Sequence, residues 1–449
     1  MMNHPFLLKL WLVLCVAMGG WLLDIASARA YEVVRLTDNA IEERGLDARY
    51  GRVAWQARSS QNGTYEIVYW PGYGDPVTLS DNDVQDLNPR ISQGGVVWYA
   101  PTGVNDTEEI WVYPGPQDAA DVVTSNAWHD RLPRTGGGWL TWQGQSGAVG
   151  TWEIYLQRNG AVEQVTANDY DDETPVTDGS LVAWVGHPSE QGSQIYLLAG
   201  SEIRSLSSPD WESRNPVIHD GWVAWEATSG GNSTSEVFLW NGDSVEQVTS
   251  NSVFDGAPSL WRPRFGWEAD HIQVGFPPEI RVRDMDSEVS FETANTLSDF
   301  NPVVGPETVA WLAYVGPNLF QFPTSEVQIW DGSTTVRVTD NGYNERGLTG
   351  DEYILGWLGE AGPSYSSEVF ISVLKPFYTP QPIVLTAYAD RLEWTSAAGR
   401  VYAVERKASW GESWSEVARV AADGATAEWG VSTEVIGQAA FFRVVDVTD

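Results

Sequence analysis

The sequence has one cysteine in 449 residues. Cys15 lies in an N-terminal segment that we expect to be removed, so the mature chain would contain no thiol and no disulfide. Leu14 precedes it where a lipoprotein processing site requires a small residue, which argues against a lipid anchor. Because no disulfide cross-links the chain, packing must supply the stability of the fold.

Long apolar runs are also lacking. The run from Leu10 to Leu23 has about 14 residues, whereas ~20 are needed to cross a bilayer. Lys9 before this run and the small-x-small tripeptide Ala28–Ala30 after it are typical of a secretory signal peptide. The alternative is an uncleaved anchor. We expect residues 1–30 to be removed, with the protein secreted, periplasmic or on the cell surface and not stably inserted in a membrane.

Positive charge is scarce. The chain has 26 basic and 61 acidic residues, for a formal net charge of −35, and removal of residues 1–30 leaves 24 basic and 60 acidic residues, or −36. Such a field repels phosphate backbones and anionic lipid surfaces, so nucleic acid is excluded as a partner. Two explanations stay open: solubility in a salty or extracellular medium, or attraction of cations and basic protein surfaces.

What the chain does contain is tryptophan at an almost fixed interval. Eight tryptophans recur 41 to 46 residues apart, and this period is typical of the blades of a β-propeller. They are Trp55, Trp98, Trp142, Trp184, Trp225, Trp267, Trp311 and Trp357. We expect each to lie on the second strand of its blade and to pack between neighbouring sheets.

Each repeat predicts four short strands. In the fourth repeat these are residues 174–178, 180–185, 194–198 and 202–206, separated by turns that contain Gly or Asp. An acid or amide followed by Ile or Val marks the third strand. The marker residues are Glu66, Glu109, Glu153, Gln194, Glu236, Glu279, Glu326 and Glu368.

The two ends of the array predict how the ring closes. The last repeat has three strands, the third at residues 368–374, and then meets Pro376 where a fourth strand is due. The mature N-terminus, residues 32–36, resembles a fourth strand without a blade before it. Pairing the two gives an all-β, eight-bladed propeller over residues 31–375, closed by three strands plus one and without an open edge.

After residue 375 the period stops. Pro380 to Pro382 form a plausible linker, and the short alternating strands of residues 376–449 predict a small β-sandwich. The segments 392–396, 399–402 and 441–444 resemble the fibronectin type III-like modules of bacterial exported proteins.

Two columns of polar residues precede the blades. Seven residues before the Pro or Leu that opens a blade stand Asn39, Asn82, Asn126, Asn168, Asn251, Asn295 and Asn341. Three residues before it stand the rim candidates Glu43, Asp86, Asp130, Asp172, Asp255, Asp299 and Glu345. The fifth blade departs in both columns, with Pro209 and Ser213. Asn forms Asx turns and Asp caps amides, so a structural role explains both columns.

A ring of carboxylates near a channel mouth also permits a second role, which is to hold a divalent cation or a basic peptide. The densest acid cluster is Asp169, Asp171, Asp172 and Glu173. It resembles a calcium loop only loosely, because it lacks the glycine and the distal glutamate of an EF-hand. Calcium at this cluster is the one cofactor that the sequence suggests.

Catalytic motifs are absent: there is no G-x-S-x-G and no H-E-x-x-H. The four histidines of the mature chain do not share a repeat position. His129 lies between blades, His187 and His271 follow the second strands of different blades, and His219 lies in a turn of the opposite rim. We therefore assign no catalytic residue, although the many acids leave a glycosidase-like carboxylate pair open.

The repeat resembles the propeller of the periplasmic protein TolB and the WD40-like repeats of prokaryotic cell-surface proteins. The likeness rests on Gln164–Asn168, Pro175, Gly179, Val182–Trp184 and Gln194–Leu197. Such propellers mostly bind proteins or glycans. The Ser-Pro-Asp-Gly turn of TolB is replaced here by variants such as Thr177–Gly179, so no TolB partner or binding residue is carried over.

From these observations we expect an exported, monomeric, non-enzymatic binding or scaffolding protein that presents a propeller rim to a protein or glycan of the cell envelope. The alternative is a carbohydrate-active enzyme, either a polysaccharide lyase or a hydrolase, with its site at the channel mouth. Arg or His converging with several acids at the rim would favour this alternative, because a lyase needs a base and a charge-neutralising cation or arginine at one spot.

Overall fold

The computed structural model describes residues 31–375 except 116–118, 147–149, 190–191, 230–233, 271–276, 288–289, 316–323 and 363–365. Beyond residue 384 it describes six strands. Residues 1–30 and the predicted linker at Pro380–Pro382 lie outside the described residues. In the described part of the chain, no helix is long and apolar enough to cross a bilayer.

Eight four-stranded antiparallel sheets follow one another along the chain and confirm the predicted propeller. The eighth sheet also contains the N-terminal strand, β1 (Val33–Arg35). Blade 1 consists of β2 (Glu43–Arg49), β3 (Arg52–Arg58), β4 (Tyr65–Trp70) and β5 (Val77–Thr78), and blade 2 of β6 (Leu87–Ile91), β7 (Val96–Ala100), β8 (Glu109–Tyr113) and β9 (Asp121–Val122). Blade 3 consists of β10 (Asp130–Gly136), β11 (Trp139–Ser146), β12 (Thr151–Arg158) and β13 (Ala161–Gln164), and blade 4 of β14 (Asp172–Thr177), β15 (Leu181–Ser189), β16 (Gly192–Ala199) and β17 (Glu202–Ser205). Blade 5 consists of β18 (Trp211–His219), β19 (Trp222–Ser229), β20 (Ser235–Trp240) and β21 (Val245–Gln247), and blade 6 of β22 (Asp255–Trp261), β23 (Arg264–Ala269), β24 (Glu279–Asp284) and β25 (Ser290–Glu292). Blade 7 consists of β26 (Ser298–Val304), β27 (Val309–Val315), β28 (Thr324–Trp330) and β29 (Thr335–Arg337), and blade 8 of β30 (Glu345–Gly350), β31 (Ile354–Gly359) and β32 (Glu368–Val373), with β1 as its fourth strand.

The ring closes as the sequence predicts. Strand β1 pairs antiparallel with β32, with Val33 opposite Ser372 and Arg35 opposite Phe370. The Leu36 amide continues the ladder by donating to the Val369 carbonyl at 2.8 Å. The outer edge of β32 is therefore covered by a strand from the other end of the propeller.

The first strands of the blades form the inner ring. Each contacts the first strand of the next blade, and β30 of the last blade contacts β2 of the first. These strands therefore surround the central channel, while the short fourth strands lie outermost.

The repeat tryptophans pack between the sheets, as predicted. Seven of them are at most 1% exposed, and Trp267 is 7% exposed. Trp55 of blade 1 shares a buried cluster with Ile354 and Ile371 of blade 8, so this cluster joins the first blade to the last. The apolar residue after each third-strand marker is fully buried, as at Ile67, Ile154 and Val237.

Every first strand carries a β-bulge two residues after its rim position. The bulged residue has a positive φ between 47° and 61° in all eight blades. These residues are Gly45, Asn88, Leu132, Thr174, Asn215, Ala257, Asn301 and Gly347. Only two are glycine, so neighbouring contacts must hold the others in this unfavourable region. One such contact is the Thr174 amide, which donates to Oε1 of Gln143 in the previous blade at 2.9 Å.

The C-terminal part contains two three-stranded sheets. One has the order β33, β34, β37 and the other β36, β35, β38. Their strands are β33 (Leu385–Ala387), β34 (Arg391–Thr395), β35 (Val401–Lys407), β36 (Ser415–Ala421), β37 (Thr426–Gly430) and β38 (Phe441–Asp446). The sequence pattern predicts strands at residues 391–395, 401–406, 414–420, 425–429 and 440–445, which agree with β34 to β38 to within a residue, and it does not predict β33.

Candidate functional site

The connection from the fourth strand of one blade to the first strand of the next is held by four side chains. We call it a joint and number it by the blade that it enters. In the fourth joint, Asn168 Nδ2 donates to Asp172 Oδ2 at 2.7 Å, and Trp184 Nε1 donates to Asp172 Oδ1 at 2.8 Å. The Asn168 amide donates to Glu153 Oε1 at 3.2 Å. The buried Asp172 carboxylate thus links the connection to the second strand, and Glu153 links the same asparagine to the third strand of the previous blade.

The same joint recurs in seven blades. The Asn side chain donates to the rim carboxylate each time, and the rim carboxylates are at most 2% exposed. Five rim aspartates also accept from their tryptophan: Asp86, Asp130, Asp172, Asp255 and Asp299. Of the two interpretations that the sequence left open, this geometry favours the structural one, because the carboxylates face inward.

Burial raises the pKa of these carboxyl groups despite their hydrogen bonds. Desolvation is the largest cause, and the acid of the neighbouring third strand adds to it. The pKa rises to about 6 for Asp86, Asp130 and Asp172, and to about 7 for Glu43, Asp299 and Glu345. The pKa of Asp255 is raised in the same direction.

The predicted calcium cluster splits among separate partners. Asp171 Oδ1 accepts from the Trp152 amide at 2.9 Å, Asp172 belongs to the fourth joint, and Glu173 lies 3.5 Å from His187 Nε2. Asp169 is exposed. Among the described residues, no three His, Cys, Asp or Glu side chains are placed to hold a metal ion. A calcium site at Asp169, Asp171, Asp172 and Glu173 stays a prediction from the sequence.

One sector of the disc brings together side chains that the sequence did not connect. It lies on the face that carries the joints, where blades 2 and 3 meet. Arg131 Nη2 donates to Glu108 Oε1 at 2.6 Å, and the His129 ring contacts Oε2 of the same carboxylate through Nδ1. The Arg131 guanidinium lies 5.3 Å from the ring centre of Trp152. The exposed Trp128 neighbours His129 in the chain. We call Glu108, His129, Arg131, Trp128 and Trp152 the rim cluster.

Part of the rim cluster is a repeat feature and part is not. The side chain three residues after the joint Asn accepts a hydrogen bond from a backbone amide of the previous blade. Gln85 accepts from the Tyr65 amide, and Asp171 accepts from the Trp152 amide. His129 occupies this position in blade 3, and the Glu108 amide lies 3.3 Å from its Nδ1. What is particular to blade 2 is an acid, Glu108, at the position where blades 1 and 3 have Tyr65 and Trp152.

Electrostatics favour a neutral imidazole in the rim cluster. Burial lowers the pKa of His129 below its ordinary value, and the nearby Arg131 charge lowers it further. Nδ1 faces both the Glu108 amide and the Glu108 carboxylate, and only the tautomer with the proton on Nδ1 donates to the carboxylate and leaves a lone pair on Nε2. The His129 side chain is 35% exposed, so water has access to the ring.

The other histidines lie elsewhere. His187 contacts Glu173 in blade 4. His219 lies at the end of β18 on the opposite face, where its Nδ1 accepts from the Arg262 amide at 3.1 Å. His271 falls outside the described residues.

Comparison with known proteins finds likeness at the level of the fold. No protein-family model and no curated protein matches the sequence. The chain is similar to the β-propeller domain of the trilobed protease of Pyrococcus furiosus, with 11% identity and a TM-score of 0.48, over 66% of this chain and 99% of that one. It is also similar to the acylaminoacyl peptidase of Pyrococcus horikoshii, with 12% identity and a TM-score of 0.47, over 80% of this chain and 58% of that one. A prolyl endopeptidase gives 10% identity and a TM-score of 0.49, over 71% of this chain and 54% of that one. This chain thus spans little more than half of the two whole peptidases, and at such identities the likeness shows the propeller fold alone.

These findings correct the expectation of a non-enzymatic binding or scaffolding protein. The solved structures named above are peptidases or the propeller domain of one, and none is a non-enzymatic binding protein. In the rim cluster a histidine and an arginine converge with one carboxylate, Glu108, rather than with the several acids that the sequence argument required. The sequence argument failed because it sought histidines within one repeat, whereas Glu108 of blade 2 reaches His129 and Arg131 of blade 3 across a joint.

Proposed function

We propose that this protein is a carbohydrate-active hydrolase whose site is the rim cluster. The observation that carries the proposal is the contact of one carboxylate, Glu108, with both His129 and Arg131. Glu108 orients the imidazole, so that Nε2 accepts a proton from a water molecule whose oxygen bonds to the anomeric carbon. The glycosidic C–O bond breaks, and the leaving oxygen takes a proton from solvent. Arg131 donates to the other oxygen of Glu108 at 2.6 Å.

Aromatic side chains support a sugar substrate. Trp128 is 44% exposed, and Trp152 lies beneath the Arg131 guanidinium. An indole face offers a flat apolar surface against which the C–H face of a pyranose packs. Trp128 is the chain neighbour of His129, and Trp152 contacts Arg131 of the same cluster, so a sugar bound on either ring would lie near the rim cluster.

Charge decides between hydrolase and lyase. A polysaccharide lyase acts on uronate chains, and it needs a cation to neutralise the uronate carboxylate. A chain with a net charge of −35 repels such a polymer. Arg131 is already paired with Glu108 at 2.6 Å. Both points favour hydrolysis of a neutral polysaccharide.

The test is release of reducing ends from a panel of neutral polysaccharides by the mature protein. We expect His129→Gln to reduce the rate about 100-fold or more, the range typical of losing a general base. Gln is a suitable replacement because Gln85 already fills the equivalent position in blade 2. The melting temperature should therefore stay within about 1 °C, given how little surface polar changes cost.

His187→Gln is the matched control, since His187 also contacts a glutamate on the same face. It should retain full activity. Absence of cleavage of every polysaccharide, or equal rates for His129→Gln and the parent, would overturn the proposal. Unsaturated products would show elimination and would assign a lyase instead.

We also propose that the protein is exported, that its repeat is TolB-like and that its C-terminal module is fibronectin type III-like. The signal-like residues 1–30 support export, and the two three-stranded sheets support the module. Mass spectrometry of the protein recovered from its native envelope or medium should find a chain that begins at Tyr31. An intact Met1 terminus in that fraction would contradict the export proposal.

A further inference from the structure

The lining of the central channel is not uniform around the ring. The residue that follows the opening Pro or Leu of each first strand pairs with the residue just before the repeat tryptophan. Blades 4, 5 and 7 have valine at this position, and blades 6 and 8 have Ser259 and Thr349. Blades 1, 2 and 3 have Asp47, Arg90 and Arg134. Charge at this level of the channel is therefore confined to three consecutive blades.

Arginine outnumbers acid at this place. Asp47 Oδ1 lies 3.7 Å from Arg90 Nη1 and 3.7 Å from Arg49 Nε. The other oxygen of Asp47 accepts from the Ile91 amide at 2.7 Å. Asp47 thus pairs with Arg49 and Arg90, and the buried Asp351 also feels the charge of Arg49. With Arg134, three guanidinium groups face two carboxylates, so the group keeps an excess of positive charge in a strongly acidic protein.

The arginine donors are incompletely used. Arg90 Nε is fully buried and has no hydrogen-bond partner in the described structure. Arg134 Nη1 donates to its neighbouring Pro133 carbonyl at 2.9 Å and lies 3.5 Å from Asn88 Oδ1, and both of these acceptors are neutral. A buried guanidinium without a counter-ion is costly, because it loses hydration and gains no charge partner.

The electrostatics agree with this geometry. Desolvation lowers the pKa of Arg90 and of Arg134 below the ordinary arginine value, and the Arg90 charge lowers that of Arg134 further. Asp47 is the one acid that opposes this effect on both groups. The acids of the outer surface act weakly here, since salt screens charges beyond about 8 Å at physiological ionic strength.

We propose that Arg90 and Arg134 form an oxyanion site in the channel of blades 2 and 3, which binds a small carboxylate or a tetrahedral oxyanion such as sulfate or phosphate. An oxyanion between the two side chains accepts charge-assisted hydrogen bonds from the unused guanidinium donors. The Arg90 side chain is 25% exposed, so a small solute reaches it from the channel water. The site is separate from the rim cluster and does not depend on its activity.

The experiment measures the melting temperature of the mature protein against sulfate, phosphate and citrate, with chloride at equal ionic strength as the reference. We expect a saturable rise with at least one oxyanion and no saturable rise with chloride. Sulfate and phosphate also stabilise proteins by general exclusion from their surface, but that effect does not saturate. The anion whose effect on the melting temperature saturates identifies the class of ligand. Citrate would indicate a carboxylate ligand, and sulfate or phosphate would indicate an inorganic oxyanion.

Arg134→Val is the decisive variant, because valine occupies the same position in blades 4, 5 and 7 and so fits the fold. It should melt at or above the temperature of the parent in chloride, and it should lose the saturable rise while keeping the non-saturable one. Arg281→Gln changes an arginine paired with Glu292 in blade 6, away from the channel group, and should keep the full response. A saturable rise that survives Arg134→Val, or none in the parent, would overturn the oxyanion site.

Discussion

The fourth and fifth joints of the propeller perform the same task with different chemistry. The fourth is tied by Asn168, Asp172 and Glu153, and its Trp184 donates to the aspartate. The fifth has Ser213 in place of the aspartate, and both Ser213 Oγ and Trp225 Nε1 are buried without a hydrogen-bond partner. Yet Trp225 is 0% exposed and Trp184 is 1% exposed. Apolar packing therefore positions the tryptophan, and the polar network adds to a blade that is already formed.

Beside the fifth joint, an ion pair is added to a link between blades that also occurs elsewhere, as between Gln143 and the Thr174 amide. Arg214 Nε donates to Glu226 Oε1 at 2.6 Å, and the second oxygen of Glu226 accepts from the Ala257 amide of blade 6 at 2.8 Å. Glu226 thus spans to the next blade while Arg214 neutralises it. This arrangement keeps its carboxylate in an ion pair, whereas the standard joint buries a carboxylate among neutral donors.

The first joint, which closes the ring, should show the largest effect when it is broken. Deleting residues 31–38 removes β1 and leaves the edge of β32 open. We expect a loss of much of the roughly 5–15 kcal/mol that stabilises a typical domain, together with oligomers formed through the open edge. Melting and gel filtration measure both effects. Val34→Thr is the control, because the side chain is exposed and the ladder uses only the backbone. An unchanged, monomeric deletion variant would contradict this role for β1.

Lowering the pH should raise the stability of the protein through the seven joints that contain a buried rim carboxylate. Six of the seven rim carboxyls have folded-state pKa values of about 6 to 7, above their unfolded values near 4, and the pKa of Asp255 is raised in the same direction, so the folded state takes up more protons in this interval. Their unfavourable contribution is complete above pH 7 and is lost as the pH falls towards 4. We expect the free energy of unfolding to rise by several kcal/mol, about 1 per joint after discounting, between pH 7 and pH 5.

Chemical unfolding at each pH measures this rise. Repeating the series at high salt separates the joints from the surface, because salt screens exposed acids much more than buried ones. A stability that is flat over this range, or that rises only at low salt, would show that the buried carboxyls do not carry the effect.

Replacing Asp172 with serine gives the fourth joint the residue that the fifth joint has, and so measures the hydrogen bonds of one joint alone. Asp172→Ser removes the acceptor of both Asn168 and Trp184 and leaves their buried donors unpaired. We expect a loss of about 3 kcal/mol, from two unsatisfied groups at 1–3 kcal/mol each. Ser213→Ala in the fifth joint should change stability by less than about 0.5 kcal/mol, since that hydroxyl has no partner to lose. Equal losses in urea unfolding would refute the contrast.

The smallest expected difference in stability between the two joints comes from the hydrogen bond of the repeat tryptophan. Trp184→Phe loses the hydrogen bond to Asp172 and part of the ring, whereas Trp225→Phe loses the ring portion alone. The difference between the two variants should be about 1–2 kcal/mol, the range for a hydrogen bond to a charged group after partial relaxation. If the two substitutions cost the same, the indole bond contributes nothing measurable.

The propeller was predictable from the sequence because each blade repeats the same packing problem. A tryptophan at a period of 41 to 46 residues and an apolar residue after each third-strand marker gave the blade number and the strand order. The closure by residues 32–36 followed from counting strands. The joint was visible as two columns, but its inward orientation was not, because sequence spacing does not tell whether a carboxylate faces solvent or an indole.

The rim cluster was not predictable by the same means. Glu108 and Arg131 are 23 residues apart, about half a repeat, and no periodicity relates them. Their contact depends on how the turn after β7 meets the connection into blade 3. Arg90 and Arg134 were likewise hidden, because a single register position filled by valine in three blades and by arginine in two does not stand out until the strands are aligned around the channel.

The closing strand also constrains how the molecule is made. The Asn39 amide and Glu368 are 329 positions apart, yet they belong to one joint. A chain that emerges from its N-terminus must hold β1 unpaired until the last blade exists, since only β32 offers it a partner. Contacts so distant in sequence form late and slowly, because a very long loop must close first. The eight blades can therefore assemble in order, but completion of the disc is a single final event that waits for both ends.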